Sequence, residues 1–215
     1  MNAGMTCMKK MIRPIGFVVL IVTSISCGDV LRQSRASSYL VIDSLAGIRG
    51  NTSVGTPATV LTSDVVTNIT SPAPCTPAAP CPTIFSDPGQ AIMHIALKDL
   101  GTASAPTTPT QVNAITLNRY HVEYVRADGR NTPGVDVPYP FDGTLTVTVG
   151  INSSTFGFEL VRIIAKEEPP LIQLVRSNQF ITAFARVTFY GRDQAGNDTS
   201  ATGSIQVDFG NFGDF

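Results

Sequence analysis

The feature that most constrains this chain is period-two alternation of apolar and polar side chains, punctuated by turn residues. Thr144 to Val149, TLTVTV, alternates almost perfectly, and such a pattern buries one continuous face only when the backbone is extended. The same period recurs along the chain. Leu40 and Ile42 oppose Asp43; Ala91, Met93, Ile95 and Leu97 oppose His94 and Lys98; Tyr120, Val122 and Tyr124 oppose His121 and Glu123. Phe156, Phe158 and Leu160 form another set within Phe156–Ile164, and Ala183, Ala185, Val187 and Phe189 alternate with Phe184, Arg186 and Tyr190. Ser204–Phe209 is a returning strand after the turn Gly191–Asn197. Leu171–Ser177 is the one stretch with helical character, and it is too short for more than a turn or two. Seven to eight strands with turns between them and almost no helix predict an all-β fold, an antiparallel sandwich.

Composition agrees. The chain has 215 residues, 43% hydrophobic and 14% charged, with 18 Gly, 15 Pro and no Trp, which suits one β-rich domain with linkers. Gly47 to Gly89 is the exception to the strand pattern. It is a run of Gly, Thr, Ser, Pro and Ala with one short strand near Val60–Val66, and it reads as a disordered or loosely ordered insertion, an exposed decoration of the sandwich.

The N-terminus sets the compartment. Lys9, Lys10 and Arg13 precede an apolar run, Ile15–Val22, and small residues Ser24 and Ser26 lead into Cys27. This is the three-part layout of an export signal, and the run is well short of the roughly 20 residues a spanning helix needs. Residues 1–26 are therefore expected to leave, with Met8 the more natural start. Losing Lys9, Lys10 and Arg13 takes 15 basic residues to 12 against 16 acidic ones, a formal charge of −4. Nothing in that balance attracts nucleic acid. With Cys7 in the leader and Cys27 at its end, Cys75 and Cys81 remain as a pair in an oxidising compartment. Two thiols without further Cys or His nearby cannot fill a tetrahedral metal site, so they read as a structural disulfide across TPAAP. So small a loop contributes about 2 kcal/mol or less.

MKKMIRPIGFVVLIVTSISC, ending at Cys27, resembles the leader and lipobox of bacterial lipoproteins, with Ser24 where those usually carry Leu. The resemblance implies that Cys27 is acylated and becomes the new N-terminus, with residues 27–37 as a tether. Asp29 lies one place beyond the position that favours inner-membrane retention, so the resemblance implies the outer membrane. A second likeness lies downstream. Tyr120–Gly129, YHVEYVRADG, and Val187–Val207, VTFYGRDQAGNDTSATGSIQV, resemble a central strand and the last hairpin of fibronectin type III or bacterial immunoglobulin-like domains. This implies an immunoglobulin-like sandwich over residues 38–210, with 211–215 as a tail.

Candidate chemistry is sparse. His94 and His121 are the two histidines, and Glu123 shares a strand face with His121. Asp193, Asn197 and Asp198 offer about three oxygens where a calcium cage needs six to eight, so capping of the turn is the simpler reading. Glu167 and Glu168 point apart as strand neighbours, and Arg126, Arg130 and Arg162 are either an anion patch or dispersed surface charge. Phe209, Phe212 and Phe215 resemble the terminal signal of outer-membrane barrels, but the strands are short and proline-interrupted, so they read as a tail that packs back or docks on a partner. No catalytic, metal or cofactor residue is assigned. The expectation is a non-enzymatic, lipid-anchored envelope module whose partner is another envelope protein or a glycan. The alternative is a small-molecule or glycan-binding lipoprotein, with a hydrolase behind both.

Overall fold

The computed structural model describes residues 35–50 and 55–213. In chain order its strands are β1 (Ser38–Gly47), β2 (Val60–Asp64), β3 (Thr67–Ile69), β4 (Cys81–Thr83), β5 (Asp87–Leu97), β6 (Gly101–Thr102), β7 (Ala105–Pro106), β8 (Ile115–Val125), β9 (Phe141–Val149), β10 (Ser154–Val161), β11 (Phe180–Asp193) and β12 (Asp198–Gly210). A single turn of α-helix, α1 (Ile163–Glu167), and a 3-10 segment, Leu171–Arg176, join β10 to β11.

A three-stranded sheet, β1-β5-β10, faces a five-stranded one, β2-β12-β11-β8-β9. Pairing is antiparallel throughout both except where β2 runs parallel to β12. Labelled by the immunoglobulin-like pattern, β1, β5 and β10 are A, B and E, while β8, β9, β11 and β12 are C, C′, F and G. The all-β sandwich expected from alternation is the fold observed. The inward residues expected on β5, β8, β10 and β11 are the buried ones, from Ala91 and Met93 to Val187 and Phe189.

Five rings close the middle of the sandwich. Phe189 meets Phe156 and Phe158 edge-on at centroid distances of 5.5 and 5.3 Å, and Tyr120 meets Phe158 at 5.4 Å and Phe141 at 6.3 Å. Two glycines make room for these rings. A Cβ on Gly143 would lie 2.2 Å from Tyr120 Cζ, and one on Gly89 would lie 2.4 Å from Phe158 Cζ. The buried polar tips of the tyrosines also cross between sheets. The Tyr124 hydroxyl donates to the Leu160 carbonyl at 2.7 Å, and the Tyr120 hydroxyl accepts from the Glu159 amide at 3.2 Å.

Two sequence readings need correction. The reading of the 47–89 segment as an exposed decoration is too broad: the short strand expected near Val60–Val66 is β2, an edge of the five-stranded sheet, with Leu61 1% and the following Val65 0% exposed, whereas residues 70–80 are largely exposed. The segment hides because its buried residues include Ser63, Asp64 and Thr67, which break any apolar pattern. The Phe156–Ile164 strand also ends earlier, at Val161. There α1 turns Ala165 and Lys166 inward and leaves Ile163 and Ile164 half-exposed, so local alternation yields to the burial of a lysine. Of the three phenylalanines of the expected tail, Phe215 lies outside the described residues. Phe209 is a core residue of β12, whereas the Phe212 amide donates to Asp64 Oδ1 at 3.1 Å.

Leu61→Ala should cost about 2–5 kcal/mol in denaturant unfolding if β2 is structural. A change within about 0.5 kcal/mol would return the segment to the status of a surface loop.

Candidate functional site

Lys166 leads into a buried polar cluster. α1 aims its ammonium at the start of β5 and the end of β2, where Nζ lies 2.8 Å from Asp87 Oδ2 and donates to the Asp64 carbonyl at 2.8 Å. The two side chains are 2% and 3% exposed. Asp87 is held on both oxygens: Oδ2 also accepts from Ser63 Oγ at 2.6 Å, and Oδ1 accepts the Gly50 amide at 2.9 Å. Asp64 accepts from Thr67 Oγ1 at 3.3 Å and lies 3.9 Å from Arg49. Burial pulls the Lys166 ammonium below the usual lysine range, against the opposing pull of Asp87. Arg49, Asp64, Thr67, Phe85, Asp87 and Lys166 enclose this cluster and leave no room for a water molecule between them. Sequence reasoning passed over it. Its members lie far apart in the chain, and the visible hint is slight, a lysine between the apolar Ile163–Ala165 and the charged Glu167–Glu168.

The residues singled out from the sequence go to other places. Cys75 and Cys81 are disulfide-bonded, with Cα atoms 5.3 Å apart, at the end of the small β3-β4 ribbon. Cys27 lies outside the described residues. His121 does not partner Glu123: its Nδ1 lies 3.3 Å from Asp142 Oδ1, and Glu123 instead accepts from Arg186 at 2.8 Å. His94 Nδ1 lies 2.7 Å from Asp43 Oδ1, and Ser153 Oγ donates to Asp43 Oδ2 at 3.0 Å. With the carboxylate in the middle, serine and histidine do not touch through it, so this is not the arrangement that activates a nucleophile. The His94 hydrogen bond, helped by Ser153, holds the Asp43 carboxyl below its usual range.

Asp193 caps its own turn, accepting the Ala195 and Asn197 amides at 3.0 and 2.8 Å and the Asn197 side chain at 2.9 Å. Among the described residues no group of three or more His, Cys, Asp or Glu could hold a metal ion. The three arginines do not converge. Arg126 and Arg130 both clasp Asp128, at 2.8 and 2.7 Å, while Arg162 lies over the Phe141 ring at 4.2 Å.

The outer face of the five-stranded sheet is polar. Arg186 pairs with Glu123, the Thr188 and Thr202 hydroxyls lie 2.9 Å apart, and Arg119 stacks on Tyr190 at 4.1 Å. Pairing is interrupted between Tyr190 and Gly191 on β11 and between Leu117 and Arg119 on β8. A Cβ on Gly191 would lie 2.6 Å from the Thr116 carbonyl oxygen, so the bulge needs glycine for close approach. Beside it Asn118, Arg119, Tyr190, Arg192, Asp198 and Thr199 line an open groove of about 360 Å³. At the opposite end, loop residues from Arg126–Asp136 and Pro170–Ile181 line a wider cleft of about 650 Å³.

No family model matches the chain, and no curated protein or solved structure matches it.

Two measurements probe these charges. Lys166→Met leaves Asp87 buried without its cation and should cost about 3–5 kcal/mol, read by chemical unfolding; an unchanged midpoint would mean the pair carries no load. For Asp128, hydrogen bonds from Arg130, then Arg126, bring the carboxyl from 3.8 down to about 2. Because the folded value is the lower one, its contribution is complete above the unfolded value and fades as pH falls toward about 2. Carbon-detected NMR titration should show that value, and Arg130→Ala should return it toward 3.8.

Proposed function

We propose that this protein is an exported, lipid-anchored module of the cell envelope that acts through its surface, without catalysis, by presenting the outer face of the five-stranded sheet to another envelope component. The observation that carries the reading is that face: paired charges, threonine hydroxyls and the Arg119–Tyr190 stack surround a bulge that opens a groove. Aromatic and arginine side chains are the usual anchors of protein contact surfaces. The Cys75–Cys81 disulfide fits a protein that has left the reducing cytoplasm. The leader ending at Cys27 supplies the anchor in this proposal, and delivery to the outer membrane follows from Gly28 rather than Asp at the next position. Acylation at one residue with several chains would hold the domain stably where one chain would not.

The wider cleft favours a second reading, a small-molecule or glycan site. There Arg126, Arg130 and Gln173 stand beside Val135, Leu174 and Phe180, and a concave surface mixing apolar walls with a few polar groups is the usual form of such sites.

The test is fractionation of the native host with intact-mass analysis of the N-terminus. The expected result is a mature chain beginning at acylated Cys27 that Cys27→Ser releases from the membrane. A chain that is soluble and unmodified at Cys27 overturns the anchored module and favours the ligand-binding reading.

A further inference from the structure

We propose that Lys166 and Asp87 condense after folding into an intramolecular amide that ties α1 to the start of β5. The geometry brings the two reacting groups together. Nζ and Oδ2 are 2.8 Å apart with both side chains almost wholly enclosed, so the amine already lies against the carboxyl it would attack. Holding two reactants at contact gives effective molarities of about 10⁵ M or more. Exclusion of water works in the same direction. It weakens the preference for an ion pair over a neutral amine and carboxylic acid, and it keeps solvent away from the finished bond.

The surrounding hydrogen bonds would serve an amide as well as the ion pair. An amide has one N–H and one carbonyl oxygen. Here the Asp64 carbonyl accepts from Nζ at 2.8 Å, and the Gly50 amide donates to Oδ1 at 2.9 Å. An ammonium has three N–H groups, and among the described residues it meets two acceptors, Asp87 and the Asp64 carbonyl. Ser63 Oγ donates to Oδ2 at 2.6 Å, on the oxygen that must leave.

The step balances without a co-reactant. Lys166 first passes a proton to Asp87 Oδ2, giving a neutral amine and a carboxylic acid. The Nζ lone pair then attacks Cγ, and Oδ1 carries the developing charge toward the Gly50 N–H. A second proton moves from Nζ to Oδ2, which the Ser63 hydroxyl holds by its hydrogen bond, the Cγ–Oδ2 bond breaks, and one water departs. The remaining N–H keeps its bond to the Asp64 carbonyl. Asp87 is followed by Pro88, which has no backbone N–H, so this aspartate cannot lose water by cyclising on its own main chain.

The experiment is denaturing mass analysis and peptide mapping of the full purified chain after reduction of its disulfide. The expected result is a chain one water lighter than its mature sequence with the modification found at its N-terminus. Digestion should give a branched peptide joining the Asp87 segment to the Lys166 segment, with no tryptic cleavage after Lys166. Lys166→Arg and Asp87→Ala should each restore the full mass, and Ser63→Ala should slow its loss. The branched peptide separates this reaction from water loss at Asp128-Gly129 or Asp142-Gly143. A folded wild-type chain at full mass, with linear peptides around both residues, overturns the proposal and leaves an ion pair. Because the wild-type chain decides the question, a variant that fails to fold does not obscure it.

Discussion

Edge-on packing of aromatic rings between two sheets is the interaction on which the rest of this molecule depends. Phe189 stands at its centre, within 5.3 to 6.4 Å of the rings of Phe158, Phe156 and Tyr120. Each of the four comes from a different strand or a different turn of the alternation, so the contact exists only when β8, β10 and β11 are all in register. A slip of one residue in any of them would send a large ring to the solvent side. The glycines at positions 89 and 143 complete the requirement, since larger residues there would collide with the rings. The core therefore selects the strand alignment as much as it stabilises it.

At one end of this apolar layer the sandwich is closed by charge. Lys166, Asp87, Ser63 and the Asp64 main chain meet where β2, β5 and α1 converge. Apolar residues could fill that space, and replacement of buried ion pairs by apolar groups is often neutral or favourable. What they could not do is fix three separate segments by directional bonds. The charged cluster gives β2 a defined partner at its end, which its short parallel pairing with β12 does not by itself provide.

How much of this was readable in the sequence follows from which force shaped each part. Strands whose one face meets the core wrote their period into the chain, and Ala183 to Phe189 or Tyr120 to Tyr124 could be placed inward on that basis. The turn at Asp193 was equally legible because its hydrogen bonds are local. β2 was harder, since Ser63 and Asp64 are buried through contacts with residues far along the chain. α1 was mistaken for the end of a strand because Val161, Ile163 and Ile164 look apolar, while the decisive residue is Lys166 and its partner Asp87 lies on the neighbouring strand β5, far away in the chain. The partners of the histidines escaped for a related reason: Asp43 and Asp142 sit on neighbouring strands, and cross-strand register is not visible in a single run of sequence.

The β3-β4 ribbon has a different relation to the whole. Its disulfide closes a loop of sequence separation 6, and the residues between the cysteines are exposed. The bond is made entirely within the ribbon, so the tip is insulated from the packing between the sheets. Substitutions among Thr76 to Pro80 can accumulate there while the sandwich beneath stays as it is, which makes that tip the part of the surface most free to diversify.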